Sequence, residues 1–497
     1  MTLYYQSTRN PENRVTASQA ILKGIAEDGG LYVPVAHPKL PVPLADLVGK
    51  SYQEVAFTVM KAYFDDFSQE ELQACIDGAY NSDKFDTPEL TPVKKVGDAY
   101  YLELFHGQTI AFKDMALSIL PYLMTTSAKK QGSDKEIVIL TATSGDTGKA
   151  AMAGFADVPG TKIVVFYPKG GVSHIQELQM LTQKGDNTYV VGITSNFDDA
   201  QSQVKALFGD QALNEQIAAA GYQFSSANSI NIGRLIPQVA YYVFAYLQLV
   251  SQGVIALGDA INVDVPTGNF GNILAAYYAR QMGLPIKTFI CASNKNNVLT
   301  DFFKTGVYDR QRPFYVTNSP SMDILISSNL ERLIYHATGN DAAQTATYMK
   351  QLVEQGHYQV TPQMQATYAD FYGGYADEAQ IEASIKAVYE ATGYVLDPHT
   401  AVATSVYSDY RQETGDTTPT LIASTASPYK FPRSVMQSFQ DLDPEVDDLT
   451  LVDQLEAISG VPQPAAVLEV KEAQIRHNEV VDVAGMKASI LAKLELE

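Results

Sequence analysis

From about residue 96 onward, short β-branched runs alternate with helical patterns, and this rhythm limits the fold more than any other feature of the chain. Residues 136–143 (Glu-Ile-Val-Ile-Leu-Thr-Ala-Thr), 162–167 and 187–193 read as buried strands, with helices expected over 149–156, after Ser173, and over 198–208. Ser173 with Gln176 three residues on is a capping pattern. Residues 235–252 read as a long helix, 262–266 and 287–291 as strands around a helix at 273–282, and 420–425 as a late strand. Strands that alternate with helices pair in parallel and are covered on both faces, so the expected class is α/β with parallel sheets flanked by helices.

The first ~95 residues break the rhythm and read as a mixed, largely helical N-terminal domain. A helix is expected over 16–25, ended by Asp28-Gly29-Gly30, and two more over 51–65 and 68–79, where Ser68 and Glu71 form a capping box. Residues 321–392 read as mostly helical and 466–497 as a polar tail with a terminal helix. The expected division is therefore 1–95, a catalytic domain at 96–460 with a smaller α/β subdomain at about 128–230, and a tail at 461–497.

The chain has 497 residues, 46% of them hydrophobic, and a formal net charge of −21. That is enough chain for a large core, on the order of three domains by length alone. The negative field argues against nucleic acid or an anionic membrane as partner. Any anionic ligand must then be caught by a local device. Two distant cysteines, Cys75 and Cys291, give neither a disulfide framework nor zinc spacing, and the seven histidines include no His-x-x-x-His pair, so no metal is expected. No signal peptide and no membrane-spanning run is read, which leads us to expect a cytoplasmic protein, as monomer or homodimer.

Two glycine turns lie where a strand hands over to a helix. The first is Thr143-Ser144-Gly145-Asp146-Thr147-Gly148. Converging backbone N–H groups and a helix N-terminus make an anion seat there, and an ordinary capped turn has the same look. The second is Pro266-Thr267-Gly268-Asn269-Phe270-Gly271-Asn272. It is neither a Walker A loop nor a dinucleotide fingerprint, and it suits a phosphate monoester held by backbone donors. Two neutral anion seats in an acidic chain point to a phosphorylated cofactor plus a carboxylate substrate. Pyridoxal phosphate fits, and it needs a lysine for its aldehyde and a partner for its ring nitrogen.

The lysine candidate is Lys113, in His106-Gly107-Gln108-Thr109-Ile110-Ala111-Phe112-Lys113-Asp114. Alone, such a lysine is usually a surface charge. The run resembles the threonine synthase signature, and further segments resemble that family in order. They are 28–34 (Asp-Gly-Gly-Leu-Tyr-Val-Pro), 143–148, 168–173 (Pro-Lys-Gly-Gly-Val-Ser), 228–231 (Asn-Ser-Ile-Asn) with Arg234, 268–272, 397–401 (Asp-Pro-His-Thr-Ala) and 424–426 (Ser-Thr-Ala). The likeness covers about residues 5–435. It departs at Gln108, where the family has Pro, at Ile232-Gly233, and at Ser427, where the family commonly has His.

The resemblance implies a fold-type II, tryptophan synthase β-like pyridoxal-phosphate enzyme that turns O-phospho-L-homoserine and water into L-threonine and phosphate. It implies Lys113 as the residue that carries the cofactor, and Gly268, Asn269, Phe270, Gly271 and Asn272 as the cofactor-phosphate loop. Thr425 would serve as hydroxyl partner of the ring nitrogen. Ser144, Gly145, Asp146 and Thr147 would seat the substrate carboxylate. Lys169 and Arg234 are candidates for the substrate phosphate. Asn196 is a candidate ring contact that could equally cap the helix at 198–208. His106 also matches the family, and His399 is expected to be a buried structural histidine. A Ser-x-Lys dehydratase fits these motifs less well. A phospho-lyase giving 2-oxobutyrate and a non-catalytic binder of a phosphorylated metabolite stay open.

Overall fold

The computed structural model describes residues 2–12, 14–143, 145–172 and 174–496; Ser144 and the proposed cap Ser173 lie outside the described residues. Two sheets organise the rest. The larger has the strand order Phe371–Tyr375, Ile286–Ser293, Ile261–Pro266, Thr420–Ser424, Ala99–Glu103 and Val93–Val96, parallel except for the last pair. The smaller has the order Glu479–Val481, Thr188–Ile193, Thr161–Pro168, Glu136–Ala142 and Tyr222–Ser225, all parallel. The parallel α/β class is the one expected from the sequence.

The central helix Ile232–Ser251 is apolar on nearly every face and buried along almost its whole length, packed against helices Gly271–Met282 and Tyr52–Tyr63. A helix apolar all round is stable only inside a core. The N-terminal helices start where their polar caps stand. Thr16, Ser51 and Ser68 each accept from the third helical N–H, and Gln19, Glu54 and Glu71 reciprocate.

Several boundaries differ from expectation. The first helix, Ala17–Lys23, ends at Gly24, whose φ of 72° lets its N–H close on the Ala20 carbonyl. The Asp28-Gly29-Gly30 turn comes later and does another job, since Asp28 accepts from the Ser7 hydroxyl and from the Gly30 N–H. A Cβ on Gly30 would lie 2.1 Å from Ser7 Oγ, so only glycine fits. Residues 321–392 hold, besides helices, the edge strand Phe371–Tyr375. The end of the chain is more than a tail. Glu479–Val481 extends the smaller sheet, and helix Met486–Lys493 buries Met486 and Ile490 against it.

Ligands of parallel sheets bind beyond the carboxyl ends of the strands. The segments that hold Lys113, residues 267–272 and Thr425 all leave the carboxyl ends of three neighbouring strands of the larger sheet. The 143–148 turn leaves the same end of a strand of the smaller one.

Candidate active site

Lys113 opens the short helix Lys113–Leu117. The loop before it folds back on itself, because Asp114 accepts from the Thr109 N–H at 2.8 Å and from the Thr109 hydroxyl. Gly107 is needed for that fold-back, since a Cβ there would stand 2.5 Å from Asp114 Oδ2. The loop is pinned to the strand end beside it: Phe112 N–H donates to the Thr425 carbonyl at 2.8 Å and Ser427 N–H to the Ile110 carbonyl at 3.0 Å. The departures from the family pattern sit harmlessly here. Gln108 is exposed, and the Ser427 hydroxyl accepts from the Tyr429 N–H to start the turn Pro428–Lys430.

The Lys113 side chain is 12% exposed, and its Nζ lies 3.4 Å from Asp146 Oδ2. Burial pushes its amine below the ordinary lysine range. Asp146 pulls it back, and the like charges of Lys430 and Arg234 add to the fall. Asp146, the first residue of helix Asp146–Phe155, is a hub. It accepts from the Ser321 hydroxyl and, at 2.9 Å, from Gln176 Nε2, and Lys430 Nζ is 3.5 Å away. Burial alone would raise its carboxyl, but Lys113 and Lys430 together with Ser321 hold it well below the usual carboxylate range.

Ser321 is tied down in turn by its N–H, which donates to His399 Nε2 at 3.1 Å. His399 Nδ1 lies 2.9 Å from Asp397 Oδ1. With Nε2 accepting from the Ser321 N–H, Nδ1 is the ring nitrogen that faces Asp397. His399 is thus buried and hydrogen-bonded as expected, and it also positions the serine that holds Asp146. His106 stands further out, between Asp86 and Glu103. Burial opposes its charge, but hydrogen bonds to those two carboxylates outweigh burial and lift it to about 9.

The 268–272 loop is rigid. Ser327 Oγ donates to the Gly268 carbonyl at 2.6 Å, and Asn329 donates to the Asn269 carbonyl from its N–H and its amide, each at 3.0 Å. Phe270 has a φ of 67°, a left-handed conformation that costs a non-glycine residue about 1–3 kcal/mol. Stacking on Phe303 and Phe371 holds it there, and the turn delivers the chain into helix Gly271–Met282. The Asn272 carbonyl oxygen accepts from the Tyr241 and Tyr242 hydroxyls, while its buried Nδ2 has no partner among the described residues.

Arg234 is buried. It donates from one terminal nitrogen to the Ala227 carbonyl, and its Nε has no partner among the described residues. Burial lowers its guanidinium to about 10.

Three family models match most of the chain in order. "Threonine synthase N terminus" covers residues 4–80, "Pyridoxal-phosphate dependent enzyme" covers 86–426 and "Threonine synthase, C-terminal" covers 400–478. The chain belongs to the threonine synthase family. It is 36% identical over 472 residues to threonine synthase of Schizosaccharomyces pombe, covering 88% of this chain and 90% of that one. Human threonine synthase-like 1 is 41% identical over 445 residues; the match takes in 86% of this chain but spans only 59% of that longer protein. Among solved structures, the PLP-bound threonine synthase of Brucella melitensis superposes with a TM-score of 0.87 at 33% identity, over 99% of each chain.

The residues present suit pyridoxal phosphate. Asn272 Nδ2 is an orphaned donor at a helix N-terminus, where backbone N–H groups also point outward. At Gly268 a Cβ would sit 2.8 Å from the Ser321 carbonyl, so the wall beside the loop leaves no room for a side chain. Thr425 is buried, with no hydrogen bond to its hydroxyl from the described residues.

Not every expected residue is brought in. Asn196 is exposed and caps helix Phe197–Gly209, with its Oδ1 accepting from the Asp199 N–H at 2.9 Å. The capping alternative accounts for it. Lys169 is exposed, with only its backbone N–H engaged, on the Ile193 carbonyl. Both follow carboxyl ends of strands in the smaller sheet, which is why a reading of turns picked them out. Asp146 cannot offer its side chain to a carboxylate, because that side chain is the counter-ion of two lysines. Sequence reasoning missed Lys430, Ser321 and Gln176. Lys430 had a signal: a lone lysine among Pro428, Tyr429, Phe431 and Pro432, just past the Ser424-Thr425-Ala426 motif.

Among the described residues no helix is long and apolar enough to cross a membrane, and no group of three His, Cys, Asp or Glu could hold a metal.

Proposed function

We propose that this chain is a threonine synthase, converting O-phospho-L-homoserine and water to L-threonine and phosphate. The supporting observation is the placing of Lys113. A largely buried amine with weakened hold on its proton follows Phe112, whose N–H is bonded to the Thr425 carbonyl, and leaves the same sheet edge as the 268–272 loop.

Pyridoxal phosphate, when bound, supplies an electron sink for charge left on the substrate carbon. Lys113 carries it. Once free, the same amine takes the proton from substrate Cα and then from Cβ, which is the work of a general base. Gly268, Asn269, Phe270, Gly271 and Asn272 hold the cofactor phosphate through N–H donors. Thr425 meets the ring nitrogen with a neutral hydroxyl, which does not oblige that nitrogen to stay protonated. The N–H groups of Gly145, Asp146 and Thr147, with Ser144, receive the substrate carboxylate. Arg234 receives the substrate phosphate, since its unpartnered Nε offers a charge-assisted donor. Lys169 and Asn196 receive no role. Phosphate leaves from Cγ, water adds at Cβ, and protons return to carbon. Because the two free thiols are buried and unpaired, we place this work in a reducing cytoplasm, by a monomer or homodimer.

The test is to incubate the full chain and cofactor with O-phospho-L-homoserine and to measure threonine, phosphate and 2-oxobutyrate together. Equal threonine and phosphate are expected. Phosphate with 2-oxobutyrate and no threonine refutes the assignment.

A further inference from the structure

Two lysines share one carboxylate in this site, and one of them has no part in the reaction as described. Lys430 is 1% exposed; its Nζ donates to the Thr109 carbonyl at 2.9 Å and stands 3.5 Å from Asp146 Oδ1. Thr109 belongs to the loop that carries Lys113, and Asp146 is the carboxylate against Lys113. Lys430 therefore touches both the support of the reactive amine and its counter-ion.

The charges do not balance locally. Lys113 is faced by Asp146, Lys430 and Arg234, and Asp146 also has His399 beyond Ser321. Lys430 is faced by Asp146, Asp114 and Lys149. Asp114 is itself saturated by Thr109. Lys113, Lys430 and Arg234 thus lie together, and among the described residues Asp146 is the one carboxylate in ion-pair contact with either lysine. The proton whose loss relieves that excess most directly is one on Lys113, which makes no hydrogen bond to a carbonyl, whereas Lys430 is anchored to the Thr109 carbonyl.

We infer that Lys430 is a positioning residue: its buried ammonium holds Asp146 and the Lys113 loop so that the Lys113 amine is uncharged when the cofactor releases it. This rests on the reading of Lys113 as the base. Lys430 does not touch the reacting carbon. It makes the base ready by occupying Asp146, which would otherwise keep Lys113 protonated.

The experiment reads the amine itself, without turnover. The full-length chain, freed of cofactor, is pulse-labelled with acetic anhydride across pH 6–10, and acetylation of the Lys113 peptide is followed by mass spectrometry. In Lys430→Gln, which keeps a donor for the Thr109 carbonyl but removes the charge, the midpoint for Lys113 should rise by about 1 pH unit, making labelling below the midpoint about tenfold slower. Lys430→Arg should stay near the parent protein. An unmoved midpoint in Lys430→Gln, or an equal rise in Lys430→Arg, overturns the inference. Should Lys430→Gln fail to fold by circular dichroism, Lys430→Met serves: it removes the same charge from beside Asp146, its Lys113 midpoint should rise likewise, and an unmoved midpoint overturns the inference equally. Since no substrate is used, failure of the proposed reaction would appear in the product assay and not here.

Discussion

Gly154→Ala should loosen the active site from behind. Gly154 lies near the end of helix Asp146–Phe155, against the end of helix Lys113–Leu117. A Cβ at Gly154 would stand 2.1 Å from the Leu117 carbonyl oxygen and 2.7 Å from its carbon. Real Cβ contacts keep at least 3.0 Å, so the two helices must separate by about 0.9 Å or more. Both neighbours are backbone and cannot swing away as a side chain would. Overpacking costs about 1–3 kcal/mol, and the backbone contact places this substitution at about 3 kcal/mol. Lys113 and Asp146 open these same two helices, so the shift reaches their 3.4 Å contact. Equilibrium urea unfolding measures the cost, and absorbance after gel filtration measures retained cofactor. Gly209→Ala is the control: it ends a helix, has no heavy atom within 4 Å of its Cβ, and carries no positive φ. It should be neutral or stabilising by up to about 1 kcal/mol. Gly154→Ala within about 0.5 kcal/mol of the parent and with full cofactor would refute the reasoning.

Asn272→Leu removes the free amide donor and takes the acceptor from the Tyr242 hydroxyl, while Tyr241 keeps Gln238; cofactor affinity by fluorescence titration should fall about 10- to 100-fold, the worth of one hydrogen bond to a charged group. Arg332 is wholly buried and donates to the Tyr32 and Ile230 carbonyls and to Asn329, so Arg332→Met should cost at least about 3 kcal/mol in urea unfolding, and Arg332→Lys should not rescue three separate directions. His37 and His336 lie with ring centroids 4.8 Å apart, and burial, before any neighbouring charge, lowers them to about 3 and about 4. Below pH 6.5 the unfolded chain therefore binds more protons than the folded one, and stability should fall as pH drops from about 6.5 toward 4, by up to about 1.4 kcal/mol per histidine for each pH unit traversed. His37→Phe should flatten this acid limb in pH-dependent melting, and an unchanged limb would show that His37 does not contribute.

The α/β class and the two strand-to-helix glycine turns were legible in the sequence because each is a local matter, whereas Lys113 was singled out only by the ordered company of its family-like segments. Alternating strands and helices declare parallel pairing, and a glycine turn between them declares its place at a strand's carboxyl end. What could not be read was which of several such turns face one another. Lys169 and Asn196 occupy strand ends as Gly145 does, yet one side chain is exposed and the other is spent on a helix cap. Asp146 was placed correctly in the chain, but its partners come from positions 113, 176, 321 and 430, and no pattern within ten residues announces them. Strand Glu479–Val481 was missed for the same reason, since a three-residue edge strand is defined by its neighbour more than by its own residues.

The charge of the site closes the argument about anions. A chain of net charge −21 repels phosphate at long range, and only a fixed local excess of cations can reverse that. Lys430 and Arg234 supply it, and burying each costs several kcal/mol unless it is paired. Lys430 is compensated by Asp146 and the Thr109 carbonyl, and Arg234 in part by the Ala227 carbonyl. Asp146 contacts Lys430, and Arg234 has no carboxylate partner among the described residues. The uncompensated remainder lies at Arg234, whose Nε has no partner among the described residues. A neutral ligand would leave that excess as it is, and an anionic one relieves it. The folded chain therefore favours an anionic ligand through electrostatic strain built into its core, in spite of its net negative charge.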